Sequence, residues 1–81
     1  MPDFIIKKQT FLERDLKNYL AEYRKKLNLN QQELGILVGV SRRTISLIEQ
    51  GDYIPSVFLA MRIAKVFNTM VEDIFVFEDR V

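Results

Sequence analysis

On a helical wheel at 100° per residue with Ile45 turned inward, the stretch from Ser41 to Gln50 sorts into two sides. Ile48 and Ser41 fall with Ile45, while Arg43, Ser46, Leu47 and Gln50 fall opposite. Arg42 stands on the flank at the leading end, where a long side chain can reach forward. This set can read a nucleic acid. Arginine can donate two hydrogen bonds to O6 and N7 of guanine, and an apolar side chain such as Leu47 can meet a thymine methyl. Ser46 and Thr44 can donate or accept at a base edge or a phosphate. Two arginines at a helix start oppose the macrodipole, so their placement calls for a partner of opposite charge. The competing readings are a solvated helix start for the arginine pair, a phosphate rather than a base for Arg42, and an ordinary exposed leucine for Leu47.

Gln31 and Gln32 open the preceding helix, where free backbone N–H groups and the positive dipole end favour a phosphate. Gln32 reads as plain solvent-facing surface. Tyr53, in the loop after the arginine-bearing helix, could give its hydroxyl to a nucleic-acid backbone or pack over the loop, and both stay open.

Other chemistry is poorly supplied. The 81 residues contain no cysteine, histidine or tryptophan. That excludes a disulfide, a thiolate zinc site and a cysteine nucleophile, and removes the commonest metal ligand and neutral-pH proton carrier. No metal, phosphate-loop or nucleophile constellation appears, so no enzyme, cofactor or small-molecule ligand is expected. Hydrophobic content of 48% and aromatic content of 11% are those of a globular chain, and the length allows one domain. The formal net charge is only +1, but its distribution is uneven. Lys17, Arg24, Lys25, Lys26, Arg42 and Arg43 face only Glu22 and Glu33 between positions 17 and 46, whereas the tail carries Glu72, Asp73, Glu78 and Asp79 against Arg80. A basic middle and an acidic tail suit a face for a polyanion, with the tail kept away, although solvated helix charges would look similar. The start MPDFIIKK lacks the basic region and long apolar run of a signal peptide, and no apolar run approaches a membrane span. The expectation is a soluble, cytoplasmic protein with no membrane partner.

The elements that must position these residues are helical. Leu12, Leu16, Tyr19, Leu20, Tyr23 and Leu27 recur at steps of three and four, and Thr10 with Glu13 forms a capping-box signature. The spacing predicts a first helix from Phe11 to near Leu27. Asn30 with Glu33 caps a short second helix whose buried side carries Leu34, Leu37 and Val38. Gly39 suits a left-handed C-terminal residue, Ser41 caps the third helix, and Gly51 ends it. Ser56 caps a fourth helix bearing Leu59, Ile63, Ala64 and Phe67, and Val71, Ile74 and Phe75 fit a last short one. Five helices with short loops make an all-α domain. The second and third, separated by Gly39-Val40-Ser41, make sense as a helix-turn-helix packed on another helix. Gly35, costing roughly 1 kcal/mol mid-helix, fits a close helix crossing unless it is merely tolerated.

The segments Leu29 to Gly35, Gly39 to Ser46, Ile48 to Gly51 and Pro55-Ser56 together resemble the phage-repressor (Cro-like, XRE) helix-turn-helix family. The resemblance covers roughly residues 18–75, leaving 1–17 as an N-terminal extension and 76–81 as a tail of one domain, 1–81. It departs at that extension, at Gly35 where alanine is common, and at Leu47 where a polar residue is usual. It implies a compact five-helix bundle of the lambda-repressor-like type. It also implies a sequence-specific transcriptional regulator, a repressor, that inserts the third helix into the major groove of double-stranded DNA as a homodimer. DNA contacts are then expected at Gln31, Ser41, Arg42, Arg43, Thr44, Ser46, Leu47, Gln50 and Tyr53. The matching family positions make Arg24 and Glu49 an ion pair between the first helix and the end of the third, in agreement with the inward side of the wheel for Glu49. Arg24 as a surface phosphate contact is the other reading.

The alternative function is an antitoxin-like or adaptor module that docks a protein, for which an acidic tail with exposed Phe75 and Phe77 would serve. The two ends are also the most β-prone stretches, Phe4-Ile5-Ile6 and Ile74 to Phe77. Phe4 and Ile6 share one strand face, as do Phe75 and Phe77, so these ends are expected to pair as short strands and help form the homodimer, within or between chains. The bland reading is that Phe75 caps the core and the remainder frays.

Overall fold

The computed structural model describes residues 11–78. Within them the chain forms a 3₁₀ turn (Glu13–Asp15), β1 (Leu16–Asn18), α1 (Leu20–Lys26), α2 (Gln31–Val38), α3 (Arg42–Gln50), α4 (Val57–Val66), α5 (Val71–Ile74) and β2 (Phe75–Phe77). The five helices enclose a core of Leu20, Leu34, Val38, Ile45, Ile48, Leu59, Ile63, Ala64 and Ile74. Tyr23 and Phe67 close one end with ring centroids 5.6 Å apart.

The expected long first helix is instead three elements. The Asp15 carboxylate accepts the Leu12 N–H at 2.8 Å and folds the chain into the 3₁₀ turn. Residues 16–18 then pair antiparallel with β2, Leu16 opposite Phe77 and Asn18 opposite Phe75. The Tyr19 N–H donates to the Ile74 carbonyl at 2.8 Å, and the Asn18 side chain accepts from the Leu20 N–H at 3.2 Å, which starts α1 afresh. The apolar stripe therefore divides: Leu20 is buried, Leu16 and Tyr23 are half-buried, and Leu12, Tyr19 and Leu27 are exposed. Thr10 lies outside the described residues.

The C-terminal strand forms over Phe75–Phe77, but its partner is Leu16–Asn18 of the same chain. Phe4 and Ile6 lie outside the described residues. Phe77 packs against Phe11 with tilted rings whose centroids are 4.7 Å apart, and Phe75 is half-buried against the core. Lys17 meets Glu78 at 4.0 Å on the surface.

The local stop and start signals appear where their chemistry puts them. Asn30 accepts from the Glu33 N–H at 2.7 Å while Glu33 accepts from the Asn30 N–H at 2.8 Å. Ser41 and Ser56 accept from the N–H groups of Thr44 and Leu59, each at 3.1 Å. Gly39 and Gly51 end α2 and α3 at φ of 81° and 84°, a region costly for any residue with a Cβ. Leu37 is exposed rather than inward, because α2 turns Leu34, Gly35 and Val38 to the core. Gly35 admits a close approach, but of the turn and not of a helix. A Cβ there would stand 2.5 Å from the Val40 carbonyl oxygen and 3.3 Å from the Ser41 carbonyl carbon.

Candidate nucleic-acid interface

Because Val40 and Ser41 fold back against Gly35, α3 begins close to α2 and its outward side is left open. Gly39 and Val40 both donate to the Gly35 carbonyl, at 2.7 and 2.9 Å, and lock the turn. Gln31, Arg42, Arg43, Ser46, Leu47 and Gln50 line one open recess of about 350 Å³ between the start of α2 and the outer side of α3. Two of the six lining side chains are cationic and none is acidic, so the recess presents a positive potential to anything that enters it. The Gln50 amide donates to the Ser46 hydroxyl at 3.0 Å, which orders both on the same face.

Ser41 and Thr44 stand at the leading end of α3. Their hydroxyl oxygens lie 3.1 Å apart, and the Ser41 oxygen also caps the helix. Tyr53 is exposed and is not in the arginine recess. It borders a separate hollow with Glu13, Arg14, Gly51, Asp52 and Ile54.

Behind the recess lies a hydrogen-bonded unit that sets the pose of α3. Arg24 donates from Nε to Glu49 Oε2 at 2.7 Å, from Nη2 to Oε1 at 3.1 Å, and from Nη1 to the Leu29 carbonyl at 2.8 Å. The two side chains are only 12% and 8% exposed. Hydrogen bonding to Glu49 holds the Arg24 guanidinium above the ordinary arginine range, burial opposing and charge attraction to the same carboxylate adding. Gln31 joins this unit by donating from Nε2 to Glu49 Oε1 at 3.0 Å. One side chain thus lines the recess and touches the ion pair, leaving a second Nε2 hydrogen for another acceptor.

Asn18 is a positioning residue that sequence reasoning missed. Its Nδ2 donates to the Ile48 carbonyl of α3 at 2.9 Å while its Oδ1 accepts from Leu20. An asparagine two residues before a helix start is a recognisable turn signal, but the helical spacing around it hid that reading. Among the described residues no helix is long and apolar enough to cross a membrane.

A family model described as helix-turn-helix matches residues 20–74. The chain is 47% identical over 64 residues to an uncharacterized HTH-type transcriptional regulator of Archaeoglobus fulgidus, covering 79% of this chain and 90% of that protein. It is 52% identical over 64 residues to the uncharacterized HTH-type transcriptional regulator MJ0272 of Methanocaldococcus jannaschii, and 44% identical over 64 residues to the uncharacterized HTH-type transcriptional regulator YgzD of Bacillus subtilis. Each of those two alignments covers 79% of this chain and 97% of the relative.

Proposed function

The chain belongs to the helix-turn-helix family of XRE type, and from that membership we propose that it is a sequence-specific DNA-binding transcriptional regulator acting as a repressor. The observation that carries the reading is the recess with two arginines and no carboxylate, framed by the first residue of α2 and the outer face of α3. In this reading α3 enters the major groove. Arg43 and Arg42 meet base edges or a phosphate at the leading end, Ser46, Leu47 and Gln50 face the floor of the groove, and Ser41 and Thr44 stand nearest the backbone. Gln31 donates to a phosphate through the amide hydrogen that Glu49 leaves free, and Tyr53 supplies a second backbone contact beyond α3. Two copies place two such helices in successive major grooves about 34 Å apart.

Fluorescence anisotropy with mixed-sequence duplex DNA at two salt concentrations tests this. Binding that weakens steeply with salt, with a logarithmic slope of about −0.9 per neutralised phosphate, is expected. No binding at low salt would instead favour the protein-docking adaptor. Selection from a random duplex pool then identifies the operator.

A further inference from the structure

We propose that Ser46 and Leu47 together read a thymine, and that Gln50 is the residue that turns the Ser46 hydroxyl toward it. This deepens the proposed function and rests on it, since α3 must enter the major groove for either side chain to meet a base. The Gln50 amide donates to Ser46 Oγ at 3.0 Å across one turn of α3. That bond occupies a lone pair of the hydroxyl and leaves its proton as the group still to be satisfied. Among the described residues Ser46 makes no other side-chain hydrogen bond, so that proton has no protein acceptor there. Ser46 and Leu47 are consecutive, both are half-buried, and both line the recess. A hydroxyl donor and an apolar side chain therefore stand side by side, their Cα atoms about 3.8 Å apart.

The base follows from what each shows in the major groove. A hydroxyl proton can go to N7 or O6 of guanine, N7 of adenine or O4 of thymine, and is opposed by the N4 amino group of cytosine. Only thymine sets a methyl group on the ring carbon next to its acceptor. A donor beside an apolar side chain matches that edge and no other. From Arg43 to Leu47 the helix rises about 6 Å, under two base steps of about 3.4 Å, so the thymine belongs within two base pairs of the base read by Arg43. Gln50, the last residue of α3, is a positioning residue that acts on the base through Ser46. The preference comes from the side chains at 46, 47 and 50 and not from the helix-turn-helix frame.

Selection from a random duplex pool supplies the site, and anisotropy titrations on duplexes altered at one base pair test the edge with the parent protein itself. Uracil in place of the thymine keeps O4 and removes the methyl, and is expected to weaken binding about fourfold, the worth of one buried methyl. A 5-methylcytosine–guanine pair keeps the methyl and exchanges O4 for an amino donor, and is expected to weaken binding about fivefold. Leu47→Ala should remove the first penalty and keep the second, and Ser46→Ala should do the reverse. Gln50→Ala should reduce the second penalty by about half, at the same base pair, and adding it to Ser46→Ala should change nothing further. Helical circular dichroism should match the parent in each variant. A selected site with no thymine within two base pairs of the position that Arg43→Ala relaxes overturns the inference. So does uracil bound as tightly as thymine, or Gln50→Ala acting at a different base pair from Ser46→Ala, and in all three cases the proposed function stands. A pool from which no sequence is selected overturns the proposed function, and this inference with it.

Discussion

Arg24→Ala is expected to destabilise the fold by about 2–4 kcal/mol. The guanidinium makes two bonds to Glu49 and one to the Leu29 carbonyl, all between 2.7 and 3.1 Å. Removing it uncovers the carboxylate of Glu49, whose side chain is only 8% exposed with Arg24 in place, and leaves the Gln31 amide as its remaining side-chain donor. Breaking a buried pair from one side costs about 3–5 kcal/mol, and water entering the vacated space lowers that here. A domain of this length has roughly 4–12 kcal/mol in total, so the melting temperature should fall by about 10–25 °C. Glu49→Ala should cost less, because the long arginine stem can carry its charge to water and a short glutamate cannot. Replacing both residues by methionine should recover most of the loss, since no unpaired charge remains. Urea unfolding followed by helical circular dichroism measures all three. An Arg24→Ala variant within about 0.5 kcal/mol of the parent, or a double variant no better than Arg24→Ala, would show that the pair behaves as an exposed one.

Arg43→Ala should weaken binding to a selected DNA site by about 1–3 kcal/mol and relax preference at one base position, measured by anisotropy at fixed salt. Unchanged affinity and preference would remove Arg43 from base reading. Asn18→Ala should cost about 1–2 kcal/mol of stability, because it removes two bonds joining β1 to α1 and α3 while the Ile48 carbonyl keeps its bond from Gly51. A urea midpoint equal to that of the parent would count against its role. Asp73 accepts from the Thr69 hydroxyl at 2.7 Å and the Met70 N–H at 3.1 Å, and these bonds hold its carboxyl below the ordinary aspartate value. A lowered folded-state value gives stability that is fully present above the unfolded value of about 3.9 and is lost as pH falls through the folded one. The stability difference between parent and Asp73→Asn should therefore be flat from about pH 5 to 8 and narrow below about 3.9. A difference that instead changes across neutral pH would mean another group is responsible.

What was legible in the chain was local. Asn30, Ser41 and Ser56 each satisfy an N–H three residues away, and Gly39 and Gly51 each relieve a left-handed turn, so the residue type and its neighbours suffice. Arg43, Ser46, Leu47 and Gln50 shared a face on the wheel and line one recess in the structure for the same reason. The segment from Phe11 to Asn18 departs from the expected helix because its apolar spacing suits a helix and a turn-plus-strand equally well. Its fate is decided by a partner strand some sixty residues further on, and by Asp15 turning the backbone just before it. No periodicity within 12–27 contains that information. Leu37 departs from expectation on a smaller scale, since α2 is short enough that the side facing α4 and the turn decides burial.

The residues that line the recess and those that hold α3 meet in α2, and the rest of the support comes from β1 and α1. The side chains in the recess come from α2 and α3 alone. The angle of α3 is held by Gly35 where it touches the turn, by Asn18 of β1 at Ile48, and by Arg24 of α1 at Glu49. The first acts at the start of α3 and the other two near its end, so the helix is fixed at both extremities. Asn18 occupies the strand that pairs with residues 75–77, which links that end of α3 to the C-terminal strand as well. Under the proposed function, a substitution in β2 that weakens the sheet should then lower DNA affinity without touching any residue of the recess, through the bond from Asn18 to Ile48. Gln31 makes the connection in the other direction: under the proposed function, a phosphate at its amide would pull on the same carboxylate that Arg24 holds.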